Sequence, residues 1–450
     1  MNAKSIDFNE KVKNGVLKNG LVYYIYENND CKDIIRLSMV VKVGSLKQEE
    51  NKSGIAHFTE HMCVYNSLKA IVNNNQDIRV FNGYTNFNET VYYLECKLED
   101  IEKGLIILRN ILLNKIITKD IMEKVRKGLV DEIKREKSKF NFEVKRTIFS
   151  VLSNDVEFEG KLPLGQLQYI EKCKYESINE FHNKWYKPNN SAICCVGNIK
   201  NINVNDIIQE NFSELERKNI KIDKSIFKVK YPDNRRVVIS NFKHRKTNTI
   251  QFYYLRKEDV FDLKEKSIEY FVMKLIESYI KEKIICKNIN FENVSFFSTR
   301  LLGSFQFDIL TVDVYKKTYV EFIFSIIKEL ILNGLNEFEH RKKVFLEQLK
   351  ADYNKIQLIS NETISKECIN NFLYDEPLIS LSSEYNLCYS CVEKVKYNEF
   401  NLKVKKILQN PNFTLVINNP SEFMLDKKNI YDFWDWITNI KNNTQLCEGR

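Results

Sequence analysis

The feature that most restricts the fold is an order of elements that occurs twice. Val16-Leu17 leads through Asn19-Gly20, a hairpin turn signal, into Leu21–Ile25. Ile34–Val43 is a second β-rich run ended by Gly44, and a helix follows around Gly54–Tyr65. Thr90–Leu98 reads as a strand. Ile101–Leu113, Asp120–Lys137 and Ser177–Trp185 read as helices, the last stopped before Pro188, and Ser191–Val196 reads as a buried strand ending at Gly197. A polar, lysine-rich stretch, Phe212–Asp233, then interrupts the pattern. Beyond it, strands at Arg236–Ser240 and Thr249–Tyr254 again precede long helices, at Glu265–Cys286 and Lys317–Gly334. Strands mixed with helices without strict βαβ alternation predict an α+β fold. Two halves of similar order predict a duplicated unit, with domains at residues 1–215 and 233–450 and a linker at 216–232.

Among the 450 residues, 43% are hydrophobic, enough for a large core. The net charge of +9 comes from 69 basic and 60 acidic residues spread along the chain. A nucleic-acid binder concentrates positive charge on one face or arm, so no nucleic-acid partner is expected. No apolar run reaches the roughly 18 residues that span a bilayer, and Met1–Val12 lacks an apolar signal core. The expectation is a cytoplasmic protein without a membrane partner. The 11 cysteines have no framework spacing, which suits a reduced state. Cys388 and Cys391 form a CxxC with no second Cys or His pair nearby to complete a structural zinc site.

The chemistry is concentrated in Gly54-Ile55-Ala56-His57-Phe58-Thr59-Glu60-His61-Met62. On a helix, two histidines four apart share a face, and a glutamate three after the first borders it. Two imidazoles so placed can grip one zinc ion, and the glutamate can take a proton from water beside it. His-x-x-Glu-His is a zinc-peptidase motif, the inverse of His-Glu-x-x-His. The competing reading, a solvated charged face, does not account for the apolar Ile55, Ala56, Phe58, Met62 and Val64 around it. A catalytic zinc takes a third protein ligand. The helix Asp120–Lys137 has an apolar stripe at Ile121, Val125, Leu129 and Ile133, and Glu132 borders it. A carboxylate leaning inward is costly unless compensated, and a metal would compensate it. Glu136, one turn on, is the alternative ligand. Cys63, beside the motif, reads as a small core residue.

These residues resemble the pitrilysin-type zinc peptidases, in particular the subfamily of mitochondrial processing peptidase and its small bacterial relatives. The resemblance covers most of residues 10–200. It rests on Asn19-Gly20-Leu21, Val43-Gly44-Ser45, the His57–His61 motif, Asn82-Gly83-Tyr84-Thr85 with Thr90-Val91-Tyr92-Tyr93, and Val130-Asp131-Glu132-Ile133. Leu164-Gly165, Phe181 with Tyr186-Lys187-Pro188, and Val196-Gly197-Asn198-Ile199 follow in order. It departs from the family in a shortened stretch between His61 and Glu132, in Val125 where a further glutamate is usual, and in Gly83 where alanine is usual.

The resemblance implies two α+β domains, each a mostly antiparallel sheet backed by helices. It implies one Zn²⁺ per chain on His57, His61 and Glu132, with Glu60 as general base and Asn82 on the backbone of a peptide added to a sheet edge. Active single-chain members carry an Arg and a Tyr, seven apart, that reach the substrate. Ile284 and Phe291 stand there in this chain, with Arg300 the nearest arginine downstream. The expected partner is therefore a homologous subunit that lacks the zinc motif and supplies Arg and Tyr in a heterodimer. The expected activity is a zinc metalloendopeptidase acting on short unfolded peptides, by general turnover or by removing a leader from a modified secreted peptide. The alternatives are an inactive structural subunit and a peptide-degrading enzyme acting alone.

Overall fold

The structure is a computed structural model of the whole chain. It describes residues 9, 11–30, 34–73, 78–113, 119–139, 142, 144, 146, 160–217, 237–240, 246–257, 261–302, 305–315, 319–356, 358–418 and 427–444. The expected linker 216–232 falls, apart from 216 and 217, outside them, as do Arg236 and Lys317. The chain forms two compact units. Unit 1 is Met1–Val229 with Ile356–Ser380, and unit 2 is Lys230–Lys355 with Leu381–Arg450. The sequence reading assigned all of 233–450 to the second domain, whereas the packing gives Ile356–Ser380 to unit 1.

Unit 1 begins with β1 (Val12–Val16), β2 (Val22–Glu27) and β3 (Ile35–Val41), followed by α1 (Ile55–Asn73), β4 (Ile78–Thr85) and β5 (Thr90–Cys96). Helices α2 (Ile101–Leu112), α3 (Met122–Lys137), α4 (Leu167–Lys172) and α5 (Tyr175–Trp185) precede β6 (Ser191–Gly197) and α6 (Val204–Phe212). The sheet order is β1-β2-β6-β3-β5-β4, with every neighbouring pair antiparallel except β2 and β6. β4 was not foreseen as a strand. Only Phe81 of its residues is buried, as befits an edge.

The central strands are apolar on both faces because both are covered. Leu37, Met39, Val41, Ile193 and Cys195 face the core under α1 and α2. Val40, Ala192, Cys194 and Val196 face the other way, as strand alternation requires.

Unit 2 runs through β7 (Val237–Ser240), β8 (Asn248–Lys257), α7 (Leu263–Cys286), β9 (Phe291–Leu302), β10 (Phe305–Val314), α8 (Val320–Asn333) and α9 (Phe338–Lys355). The chain returns to unit 1 as α10 (Asn361–Tyr374), then completes unit 2 with α11 (Leu381–Lys394), α12 (Tyr397–Leu408), β11 (Phe413–Asn418) and α13 (Lys427–Thr444). The second sheet has the order β7-β11-β8-β10-β9, with β7 and β11 parallel and the other pairs antiparallel. This is the order β2-β6-β3-β5-β4 over again, with α7 in the place of α1, so the repeated element order reflects a repeated topology.

Helix α10 covers the outer face of the first sheet. Ile364, Cys368, Ile369 and Phe372 pack there with Tyr24, Tyr26 and Val40, and each fully buried Ile or Phe side chain contributes about 1.5–3 kcal/mol. Polar contacts set its register. Asn28 Nδ2 donates to Asn361 Oδ1 (2.8 Å), Ser365 Oγ to Ser38 Oγ (2.8 Å), Tyr24 Oη to Asn371 Oδ1 (2.7 Å), and Tyr374 Oη to Glu89 Oε2 (3.2 Å).

Candidate metal centre

Helix α1 starts where two glycines let two backbones touch. Gly54 has φ +94° and Gly165 φ +78°, and a Cβ on Gly54 would stand 2.9 Å from Gly165 Cα. Any side chain there would force the 160–166 loop off the start of α1. The first turns of α1 are buried from Ile55 to Glu60, and His61 is the first residue partly open to solvent. The motif is thus a core helix with its polar groups held inside.

Helix α3 brings in Glu132. Val125, Leu129 and Ile133 are buried in the unit 1 core, which fixes the rotation of the helix and turns Glu132 toward α1. Val125, standing where the family places a further carboxylate, serves this core. Arg126 locks α3 in place by donating to the carbonyls of Ile170 and Cys173 and lying over the Phe58 ring, 5.4 Å from its centre. The alternative ligand, Glu136, instead pairs with Lys139 at 2.6 Å.

His57 Nε2 and His61 Nε2 lie 3.0 Å apart. Glu132 Oε1 is 3.7 Å from His57 Nε2, and Glu132 Oε2 is 3.2 Å from His61 Nε2. A tetrahedral zinc with bonds of about 2.0–2.1 Å sets its ligand atoms about 3.3 Å apart. The three distances bracket that value, and two nitrogens with one carboxylate form a donor set zinc accepts. Among the described residues no other group of three His, Cys, Asp or Glu side chains converges in this way. Glu60 Oε2 lies 3.8 Å from His57 Nε2 and accepts from Thr85 Oγ1 at 3.5 Å.

The protonation states suit a cation. Burial, helped by the neighbouring His61, drives the His57 imidazole down to about 4, so it is neutral at pH 7. Burial would lower His61 as well, but its hydrogen bond to Glu132 and the charges of Glu60 and Glu132 outweigh that, and the net shift is upward. The same hydrogen bond holds the Glu132 carboxyl below its ordinary value. Glu60 is pushed up to about 7 by burial, with the charge of His61 pulling the other way.

Strand β4 lies against this cluster. A Cβ on Gly83 would stand 3.0 Å from Glu60 Oε1 and 3.1 Å from Val64 Cγ2, so the bare glycine lets β4 sit close to the Glu60 face of α1. Gly83 and Thr85 share one pleat face. Asn82, just before Gly83, projects to the other; it is exposed, and its Oδ1 accepts from Gly83 N at 2.9 Å. The fold therefore gathers His57, Glu60, His61 and Glu132, with Asn82 on the neighbouring edge strand. Sequence reasoning had assigned nothing to Thr85; its place two residues from Gly83, on the same strand face, was the available signal.

At the equivalent place in unit 2, no histidine is present on α7. Arg256 is instead held by Glu269 (2.7 and 2.9 Å) and Asp308 (2.9 Å), so a guanidinium balances the inward carboxylates. Ile284 is buried in the last turn of α7, and Phe291 opens β9 packed on the unit 2 core. Arg300 lies on β9 opposite Gln306. No helix among the described residues is long and apolar enough to cross a membrane.

Residues 23–156 match the family profile described as Insulinase (Peptidase family M16), and residues 172–345 match Peptidase M16 inactive domain. The chain is 27% identical over 268 residues to the probable zinc protease PqqL of Escherichia coli, covering 56% of this chain and 28% of that protein. It is 30% identical over 199 residues to the chloroplastic stromal processing peptidase of Oryza sativa subsp. indica, covering 43% of this chain and 16% of the relative. The match thus spans less than a third of either relative. Among solved structures, the first half of the periplasmic protease PqqL from Escherichia coli has a TM-score of 0.83 at 19% identity, covering 96% of this chain and 97% of that one. Pitrilysin has a TM-score of 0.74 at 13% identity, covering 98% of this chain and 50% of that one. At such identities these structures establish the two-unit fold, and the two profiles, lying side by side over most of residues 23–345, establish kinship. This chain belongs to the M16 family of peptidases, the insulinase and pitrilysin type.

Proposed function

We infer that this chain is the zinc-bearing, catalytic subunit of a metalloendopeptidase that hydrolyses short unfolded peptides. The observation that carries the reading is the convergence of His57, His61 and Glu132 within reach of one ion. A zinc ion held there supplies Lewis-acid polarisation of the peptide carbonyl and acidifies water. Glu60 takes a proton from the attacking water and hands it to the leaving amine. Burial holds its carboxyl near 7, which fits one group to act as base and then as acid. The peptide lies as an added strand on the open edge of β4, with Asn82 against its backbone.

The oxyanion that develops on the former carbonyl oxygen needs a donor, commonly worth about 3–4 kcal/mol. The side chains of Ile284 and Phe291 have no donor to offer; Ile284 is buried in the unit 2 core and Phe291 packs against it. A homologous subunit without the zinc motif, supplying Arg and Tyr, completes the site as a heterodimer. The solved PqqL chain is about twice the length this chain covers. Every described cysteine is a free thiol, which suits a reducing, cytoplasmic setting. Removal of a leader from a modified secreted peptide and general peptide turnover are both roles for such a heterodimer.

The test is a peptidase assay of the purified, zinc-loaded chain alone and with a homologous subunit encoded beside it. Near-inactivity alone and cleavage when paired are expected. Full cleavage by the chain alone contradicts the heterodimer, and no cleavage in either case contradicts the peptidase.

A further inference from the structure

The face of α1 that carries the zinc-ligand histidines continues down the helix as an exposed apolar row. At 3.6 residues per turn, Tyr65, Leu68 and Val72 fall within about 40° of His61 around the helix axis. Glu60 and Val64 turn instead toward Gly83 of β4. Tyr65 is 37% exposed, Leu68 42% and Val72 71%. On a surface helix this face is normally polar, so the row calls for something to cover it.

The row runs beside the open edge of β4. Glu60 of α1 meets Thr85, and Val64, one turn on, meets Gly83, two residues back along the strand. Helix and strand therefore run antiparallel, and a peptide added to the β4 edge passes along the row. Tyr65, Leu68 and Val72 lie about 6, 10 and 16 Å along the axis from His61 at 1.5 Å per residue. Side chains on one face of an extended peptide recur every ~6.6 Å, so two or three of them span the row. Three side chains in single file are also far less than the ~800 Å² that each partner commonly contributes to a stable protein interface, which favours a peptide over a subunit.

We propose that Tyr65, Leu68 and Val72 form an apolar track that selects substrates with apolar side chains at alternate positions on one side of the cut bond. This rests on the peptidase reading given above and specifies its substrate class.

The test uses zinc-loaded Glu60→Gln protein, so that peptides bind without being cut, and fluorescence anisotropy of short labelled peptides of one composition. In one peptide leucines occupy every second position; in the other they are adjacent. The alternating peptide is expected to bind roughly tenfold tighter, the discrimination that one or two apolar contacts give. Adding Leu68→Ser and Val72→Ser, both at exposed positions, should abolish the difference while leaving zinc content and melting temperature unchanged. Equal binding of both peptides, or discrimination that survives the double substitution, overturns the proposal and leaves the peptidase reading intact. If no peptide of any sequence binds, either to the chain alone or to the chain with its homologous subunit, the peptidase reading falls with it. Self-association that the double substitution removes, with peptide binding unaltered, assigns the row to a subunit contact and overturns the track.

Discussion

Tyr374, on a helix from the second half of the chain, donates its hydroxyl to Glu89 at 3.2 Å, in the turn between the strand beside the metal centre and its neighbour. Glu89 also accepts from Asn86 Nδ2 at 2.8 Å, and the carbonyls of Asn86 and Phe87 take the amides of Ser45 and Leu46. This turn holds Thr85, which faces Glu60. Helix α10 thus braces the β4–β5 turn as well as covering the sheet.

Burial raises the Glu89 carboxyl above its ordinary value, and its bonds to Asn86 and Tyr374 oppose the rise. Tyr374→Phe removes one group that favours the charged form. We expect a loss of about 1–3 kcal/mol of stability, larger at pH 8 than at pH 5, because acidification favours the protonated carboxyl, which gains less from the hydroxyl than the carboxylate does. Urea unfolding at the two pH values measures this; an equal loss at both would show that Glu89 does not feel the hydroxyl.

Glu60→Gln should keep zinc and fold but lose the proton transfer. General-base loss typically costs about 10²–10⁴ in rate. Turnover by the complete enzyme near the wild-type value, with zinc content equal, would remove Glu60 from the mechanism.

Zinc affinity should fall on acidification with a slope of one proton. His57 is neutral down to about 4 and contributes no slope between pH 7 and 5. His61 is shifted up from its ordinary value, so its proton competes with zinc as pH falls through and below that range. Each pH unit then costs about tenfold in affinity. A competition titration with a zinc-binding dye reads the slope, and a slope of two would mean that His57 also carries a proton.

The helix-borne motif was the most legible part of the site, because His57, Glu60 and His61 are set by local spacing alone. Glu132 was half legible. The stripe Val125–Leu129–Ile133 showed which way α3 turns, but left Glu136 open until Lys139 was seen to hold it. Strand β4 was hidden because an edge strand buries little, here Phe81 alone. The place of α10 was hidden for a different reason. Ile364, Cys368, Ile369 and Phe372 announce a buried helix face without naming the sheet it covers. The matching clue, Ala192, Cys194 and Val196 facing away from the main core, lies far away in the sequence. The repeated topology was foreshadowed by the element order, yet the Arg256–Glu269–Asp308 cluster joins two strands and a helix and has no local signal.

Cys63→Ala should leave peptide cleavage by the complete enzyme intact, while a zinc chelator abolishes it. Cys63 is fully buried, and burial pushes its thiol up to about 12, against a hydrogen bond with Tyr92. It is therefore neither ionised nor accessible as a nucleophile. Loss of activity in Cys63→Ala, with chelator having no effect, would point to thiol chemistry.

The most direct test of the account is elemental analysis of the purified chain and its single substitutions. One zinc per chain is expected in the wild type and in Glu60→Gln. His57→Ala, His61→Ala and Glu132→Gln should each bind zinc at least ~100-fold more weakly, beyond what even outer-shell partners of a metal cost, while Glu136→Gln should retain it. A wild-type chain that takes up no zinc when metal is supplied, or a Glu132→Gln chain that keeps it while Glu136→Gln loses it, would contradict the centre described here.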